Sequence, residues 1–239
     1  AIHRYFRDHW RHLFPGLGVR TTSLRQAANL WCVKQQIRED LLKLLLPFGS
    51  QLSITDGFPM PVCGFRRAYF SSVFKECAAY GYCAAKNFHY YGLKGYLLID
   101  QSGVVLDFGV APANIDEREM LLETRNGIAK DVLGDKGFIG NETLKEEFKA
   151  VDILPHTPLR SNRKDDRPAA VVEHLNNRRR LIETVIGQLA ERFKIEKVRA
   201  RDLWHLTVRV GRKLLAHTIN CLLNHKLGNP ILQFERIFN

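Results

Sequence analysis

Apolar positions recur along this chain at two periods, and the places where the period changes outline its elements. Over residues 1–46 the spacing is helical, in two pieces separated at Phe14-Pro15-Gly16. The second piece, Ser23–Leu46, opens at an N-cap serine and sets Leu24, Ala27, Ala28, Trp31, Leu41, Leu42 and Leu45 for burial; Pro47-Phe48-Gly49 stops it. Gln51–Thr55 then predicts a short strand ending at Asp56. In Gly57-Phe58-Pro59-Met60-Pro61 two prolines bar its continuation, which predicts a turn or an extended loop. An irregular stretch rich in aromatics and cysteine follows. Gly92–Asp100 and Val104–Ala111 read as a hairpin around Gln101-Ser102-Gly103.

Beyond the hairpin, helical and strand patterns alternate. Asp116–Asn126 is helical and closed by Gly127, Asp131–Gly134 is a strand ending at Asp135, and Asn141 caps a helix to Ala150. Val151–Leu154 predicts a fifth strand, stopped by Pro155. A basic loop, His156–Pro168, leads to a long helix, Ala169–Phe193, and a last helix spans Leu203–Leu227. An antiparallel set followed by alternating strands and helices implies a mixed α/β sheet covered on both faces. The chain divides into a helical region 1–47, an α/β core 48–202 and a C-terminal helix 203–239.

Composition narrows the class. Hydrophobic residues make up 45% and charged residues 26%, which excludes a disordered chain, a collagen or a disulfide scaffold. The longest apolar stretches, Leu41–Phe48 and Leu214–Leu223, are broken by Lys43, Pro47, His217 and Asn220. Both fall short of the roughly 20 residues a membrane span needs, and the basic, polar start is no signal core, so a cytoplasmic protein is expected. No initiator Met is present, which points to an upstream piece and a truncated copy. The five cysteines include no C-x-x-C and suit reduced thiols. A zinc site from Cys63, Cys77, Cys83 and His89 would have a spacing that matches no common module.

Charge changes the picture most. The net +11 is unevenly placed: residues 1–99 carry +8, residues 100–152 carry −6, and residues 153–213 carry +8. An acidic middle between basic flanks suits a protein that holds a polyanion and positions cations against it. Three carboxylates stand out by placement. Asp56 and Asp135 close two predicted strands, where α/β sheets place ligands, and Glu183 lies midway along the long helix, in line with Arg179 and Gly187. The plain alternative is that Arg179, Arg180 and Glu183 are solvated ion pairs on a helix surface. Converging carboxylates in a basic protein suit Mg²⁺ or Mn²⁺, and two such ions catalyse in-line attack at phosphorus. His89-Tyr90-Tyr91 reads as aromatic packing, Lys94 as either a DNA contact or an exposed strand residue, and His205 and His217 as structural.

These residues carry a resemblance. Leu52–Asp56 with Pro59-Met60-Pro61-Val62-Cys63, then Gly134-Asp135-Lys136-Gly137-Phe138, then Arg179, Glu183 and Thr184, resemble bacterial insertion-sequence DDE transposases, closest to the insertion-sequence 982 type. Leu13-Phe14-Pro15, Ala113-Asn114-Ile115-Asp116 and Arg192–Ala200 extend the likeness over nearly the whole chain.

The resemblance implies a ribonuclease H-like mixed sheet flanked by helices, with N-terminal and C-terminal helical additions. It implies that Asp56, Asp135 and Glu183 are the catalytic triad and hold Mg²⁺ or Mn²⁺, two ions in all. Arg178, Arg179, Arg180, Arg192 and Lys194 would contact DNA phosphates. The activity implied is nicking at inverted repeats of transposon ends and strand transfer into target DNA, by a homo-oligomer on double-stranded DNA, associated with the nucleoid. Two departures matter: the related tyrosine–arginine–glutamate–lysine signature expects Tyr and Lys where Asn176 and Ala190 stand. The alternatives are a catalytically inactive DNA-binding remnant and a ribonuclease H-like structure-specific nuclease.

Overall fold

A computed structural model describes residues 2–123, 129–135, 142–158 and 167–238. Six strands form one sheet: β1 (Leu52–Gly64), β2 (Ala79–Cys83), β3 (Phe88–Asp100), β4 (Val105–Pro112), β5 (Asp131–Leu133) and β6 (Leu154–His156). Among the described residues seven α-helices accompany them: α1 (Ile2–His9), α2 (Arg20–Asn29), α3 (Trp31–Leu45), α4 (Glu117–Glu123), α5 (Glu142–Ala150), α6 (Ala169–Glu191) and α7 (Leu203–Lys226).

The sheet is mixed. β3 pairs antiparallel with β1 on one side, while β2 and β4 share its other edge end to end. β5 runs parallel to β1, and β6 parallel to β5. Alternation along β1 and β3 sends Ile54, Phe58, Met60, Leu93 and Leu97 to one face, where Ile182, Val185 and Leu189 of α6 and Leu206, Val210 and Leu214 of α7 cover them. Tyr96, Leu98 and Val132 face the other way, against Met120 and Leu121 of α4 and Phe148 of α5. The C-terminal helix therefore shares the main core, and α3 packs along it.

Four expectations are corrected. The helix predicted over Ser23–Leu46 begins at Arg20 and breaks at Leu30, and Ser23 Oγ bonds back to the Val19 carbonyl at 3.3 Å instead of capping. Leu24 and Trp31 of that stretch stay exposed. β1 does not stop at Asp56 but continues through both prolines, with Pro59 opposite Lys94 and Pro61 opposite Gly92. Its ladder with β5 ends at Ile54, so a proline nitrogen facing that open edge forfeits no bond. The irregular stretch contains β2. The fifth predicted strand is shifted: Asp152 turns the chain at φ 57°, and Pro155 lies inside β6, an edge strand. The proposed stop at Gly127 and the Asn141 cap lie outside the described residues.

Candidate active site

β1 and β5 pair through Leu52, Ser53 and Ile54 opposite Asp131, Val132 and Leu133. Asp56 and Asp135 each lie two residues past the last pair, at one level on neighbouring strands. Asp56 has the parity of Ile54 and Phe58, so it points to the face covered by α6. From that helix Arg179 reaches Asp135, with Nη2 and Oδ1 2.9 Å apart.

A fourth group completes the cluster. Glu117, the first residue of α4, lays its carboxylate against β1 from the other face, meeting the aspartates at the open edge beyond Ile54. A Cβ on residue 57 would come within 2.4 Å of its Oε1, so Gly57 is what admits it. Lys94 of β3 lies 3.7 Å from the same oxygen and donates to the Ile115 carbonyl at 3.1 Å. Lys94 is therefore not a free surface residue; it tethers the start of α4.

This crowding shows in Asp56, whose carboxyl is pushed up to about 7. Burial is the main cause and the Glu117 charge the next; the Gly57 N–H, donated to Oδ1 at 2.8 Å, and Arg179 pull the other way, and Asp135 adds a smaller upward push. Glu117 is also raised by burial, against the downward pull of Lys94.

Of the residues singled out in the sequence, Asp56, Asp135 and Arg179 come together. Glu183 is exposed on α6, one turn past Arg179, with open space over Gly187 a further turn on. It is not among the charges acting on Asp56. Arg178 donates to the Gln101 carbonyl at 2.8 Å and so fastens α6 to the β3–β4 turn. Arg192 pairs with Glu235 at 3.0 Å, whereas Arg180 and Lys194 are exposed. His205 bonds Asp202, the α7 N-cap, and His217 is buried between Phe193 and Phe234. Glu117 was not legible as a site residue. Its one signal was its place directly after the Ala113-Asn114-Ile115-Asp116 motif.

Among the described residues no three His, Cys, Asp or Glu side chains form a ready metal-binding group, and this holds for Cys63, Cys77, Cys83 and His89. The donor chemistry of the cluster nevertheless fits a hard divalent cation. Asp56, Asp135 and Glu117 bring carboxylate oxygens to one place, the donor type that hard divalent cations take, and the Glu117 charge adds to burial in raising Asp56.

Two carboxylates just beyond the last pair of adjacent parallel strands, in a mixed sheet between helices and within a basic protein, place the cluster where α/β domains hold ligands. The family model of the transposase DDE domain matches residues 49–203, and the chain belongs to that family. Neither the curated proteins nor the solved structures yield a match to the chain. DDE transposases generally use divalent metal ions, and a transposase domain implies DNA as its partner. Among the described residues no helix is long and apolar enough to cross a membrane.

Proposed function

We propose that this chain is a bacterial transposase of the insertion-sequence 982 type, with a ribonuclease H-like core that nicks DNA at insertion-sequence ends and joins the freed 3′-hydroxyl to target DNA. The observation that carries this reading is the pair Asp56 and Asp135, at one level on adjacent parallel strands beneath Arg179.

Asp56 and Asp135 would hold Mg²⁺ or Mn²⁺ between them. Glu183 would supply a further ligand from the α6 face that already carries Arg179 to Asp135; residues four apart lie on one side of a helix, so the two share an approach to the aspartates. Bound divalent ions supply an activated water or 3′-hydroxyl and offset charge at phosphorus. The protein's own groups do the rest. Arg179 releases Asp135 and turns to a phosphate oxygen, a bidentate exchange its guanidinium suits. Lys94 holds Glu117 beside β1 and keeps the start of α4 in place. Arg180 and Lys194, both exposed, extend the basic surface along the duplex.

Incubation with candidate end DNA, with and without Mn²⁺, tests this on one gel. Nicks followed by joined products are expected, and chelator should abolish both. Nicks without joined products would make the chain a structure-specific nuclease. Binding without nicks would make it an inactive DNA-binding remnant, a reading that the closed Arg179–Asp135 pair and the exposed Glu183 favour.

A further inference from the structure

Between Asp56 and Phe65, β1 advances about 30 Å at roughly 3.3 Å per residue. Its far end, with β2 and the first half of β3, carries a surface that the strand-end carboxylates do not use. Phe65 opens a short 3-10 helix, Phe65–Phe70, and its ring lies 5.0 Å from Tyr80 and 5.9 Å from His89. Tyr80 and Tyr82 alternate on β2 and so share one face; each packs on its cross-strand partner, Tyr91 at 5.3 Å and His89 at 4.6 Å. Tyr82 also donates its hydroxyl to Asn87 at 2.8 Å, which holds its ring in place.

Despite this packing the rings stay open to solvent: Tyr80 is 52% and Tyr82 53% exposed, and Tyr69 and Phe70 stand still further out. Phe65, Tyr80 and Tyr82, joined through Tyr80–Phe65 and the shared His89, form one solvent-facing group of rings that calls for a covering partner. Charge indicates which. From Gly57 to Ile99 the only carboxylate is Glu76, and of the cations there Lys86 pairs with Glu196 and Lys94 with Glu117, which leaves Arg66, Arg67 and Lys75. Arg66 and Arg67 follow Phe65 directly, are exposed, and make no ion pair with any described residue. A flat aromatic face edged by arginines matches one kind of ligand, a nucleic acid with unpaired bases.

We infer that this face binds unpaired DNA, stacking bases on Tyr80 and Tyr82 while Arg66 and Arg67 take the adjoining phosphates. Two residues of strand rise, about 6.6 Å, equal about two base steps of a stacked strand, so rings at alternate positions of β2 match alternate bases. The site lies about nine nucleotides from the strand-end carboxylates. It would hold a frayed or opened stretch of the same DNA on which they act. The inference rests on the transposase reading for its choice of DNA over another polyanion.

The test uses the full chain, a fluorescent 12-nucleotide thymidine oligomer and excess chelator, so that binding is read without cleavage. Tyr80→Ala with Tyr82→Ala should weaken binding by about thirtyfold or more, while Tyr80→Phe with Tyr82→Phe should stay within about twofold of wild type. Arg66→Ala with Arg67→Ala should flatten the slope of log affinity against log salt by about 1.4. Equal melting temperatures for the alanine and phenylalanine pairs would assign the difference to the missing rings. Wild-type affinity in the alanine pair overturns the inference, as does equal weakening in the phenylalanine pair. So does a dimer that the alanine pair converts to monomer at unchanged oligomer affinity, because the covering partner is then a second copy of this chain. A chain that nicks end DNA while its alanine pair binds normally overturns this inference alone. One that binds through the tyrosines yet never nicks with Mn²⁺ overturns only the transposase chemistry.

Discussion

Asp56 and Asp135 stand level with each other, two residues beyond the paired Ile54 and Leu133 on neighbouring parallel strands. Their surroundings differ. Asp135 has a cation, Arg179, at 2.9 Å, whereas Asp56 is half-buried beside the Glu117 charge. The two carboxylates should therefore respond differently to the same substitution.

For Asp56 the consequence is a pH-dependent stability. Its carboxyl is raised from 3.8 to about 7, so the folded chain binds a proton that the unfolded chain releases. The associated stability is present below about pH 4 and lost as pH climbs towards about 7. Without metal, Asp56→Asn should be more stable than wild type by roughly 1–3 kcal/mol at pH 8 and equal to it near pH 4. Urea melts at the two pH values check this; a variant less stable at pH 8 would show that the Asp56 charge is structurally needed.

Asp135→Asn should change stability by no more than about 1 kcal/mol, because the pair it breaks is partly exposed on both sides. It should nonetheless abolish nicking. Wild type should melt higher in Mn²⁺, by about 2.7 kcal/mol at a hundredfold excess over Kd, and Asp135→Asn much less so. Nicking at near wild-type rate in Asp135→Asn would remove this residue from the site.

Glu117 depends on the missing side chain at Gly57. Gly57→Ala would drive a methyl to within 2.4 Å of the Glu117 carboxylate and displace it. Both Gly57→Ala and Glu117→Gln should lower the Asp56 titration midpoint, as followed by carbon NMR of the carboxyl, since each removes the neighbouring charge. An unchanged midpoint in Glu117→Gln would leave burial as the whole cause.

The five cations proposed for DNA divide by what they already hold. Arg180→Ala and Lys194→Ala should each flatten the salt dependence of duplex binding by about 0.9, because both side chains are free to meet phosphates. Arg178→Ala should instead lower the melting temperature with little change in slope, since its guanidinium is engaged with the Gln101 carbonyl. Arg192→Ala should leave the slope equally unchanged, its guanidinium being paired with Glu235. Filter binding over a salt series separates the two groups.

Period and punctuation alone determined much of this protein. The hairpin of β3 and β4, the long helices α6 and α7 and the short strand before Asp135 follow from local spacing, because alternation and helical stripes are properties of neighbours in sequence. Charge distribution pointed to a polyanion, and Asp56 and Asp135 stood out because strand ends are where such sheets place ligands. What sequence could not supply was pairing. Pro59 and Pro61 read as breakers, and only the absence of a β5 partner beyond Ile54 lets β1 run through them. Ser23 read as a cap, yet the chain had already turned helical at Arg20. Glu117 became part of the site because α4 docks it against Gly57, and Arg178 and Arg192 were engaged by a turn and a tail far away in sequence. Each of these depends on which distant backbone arrives alongside, a contact set by packing of the whole sheet and invisible to any local pattern.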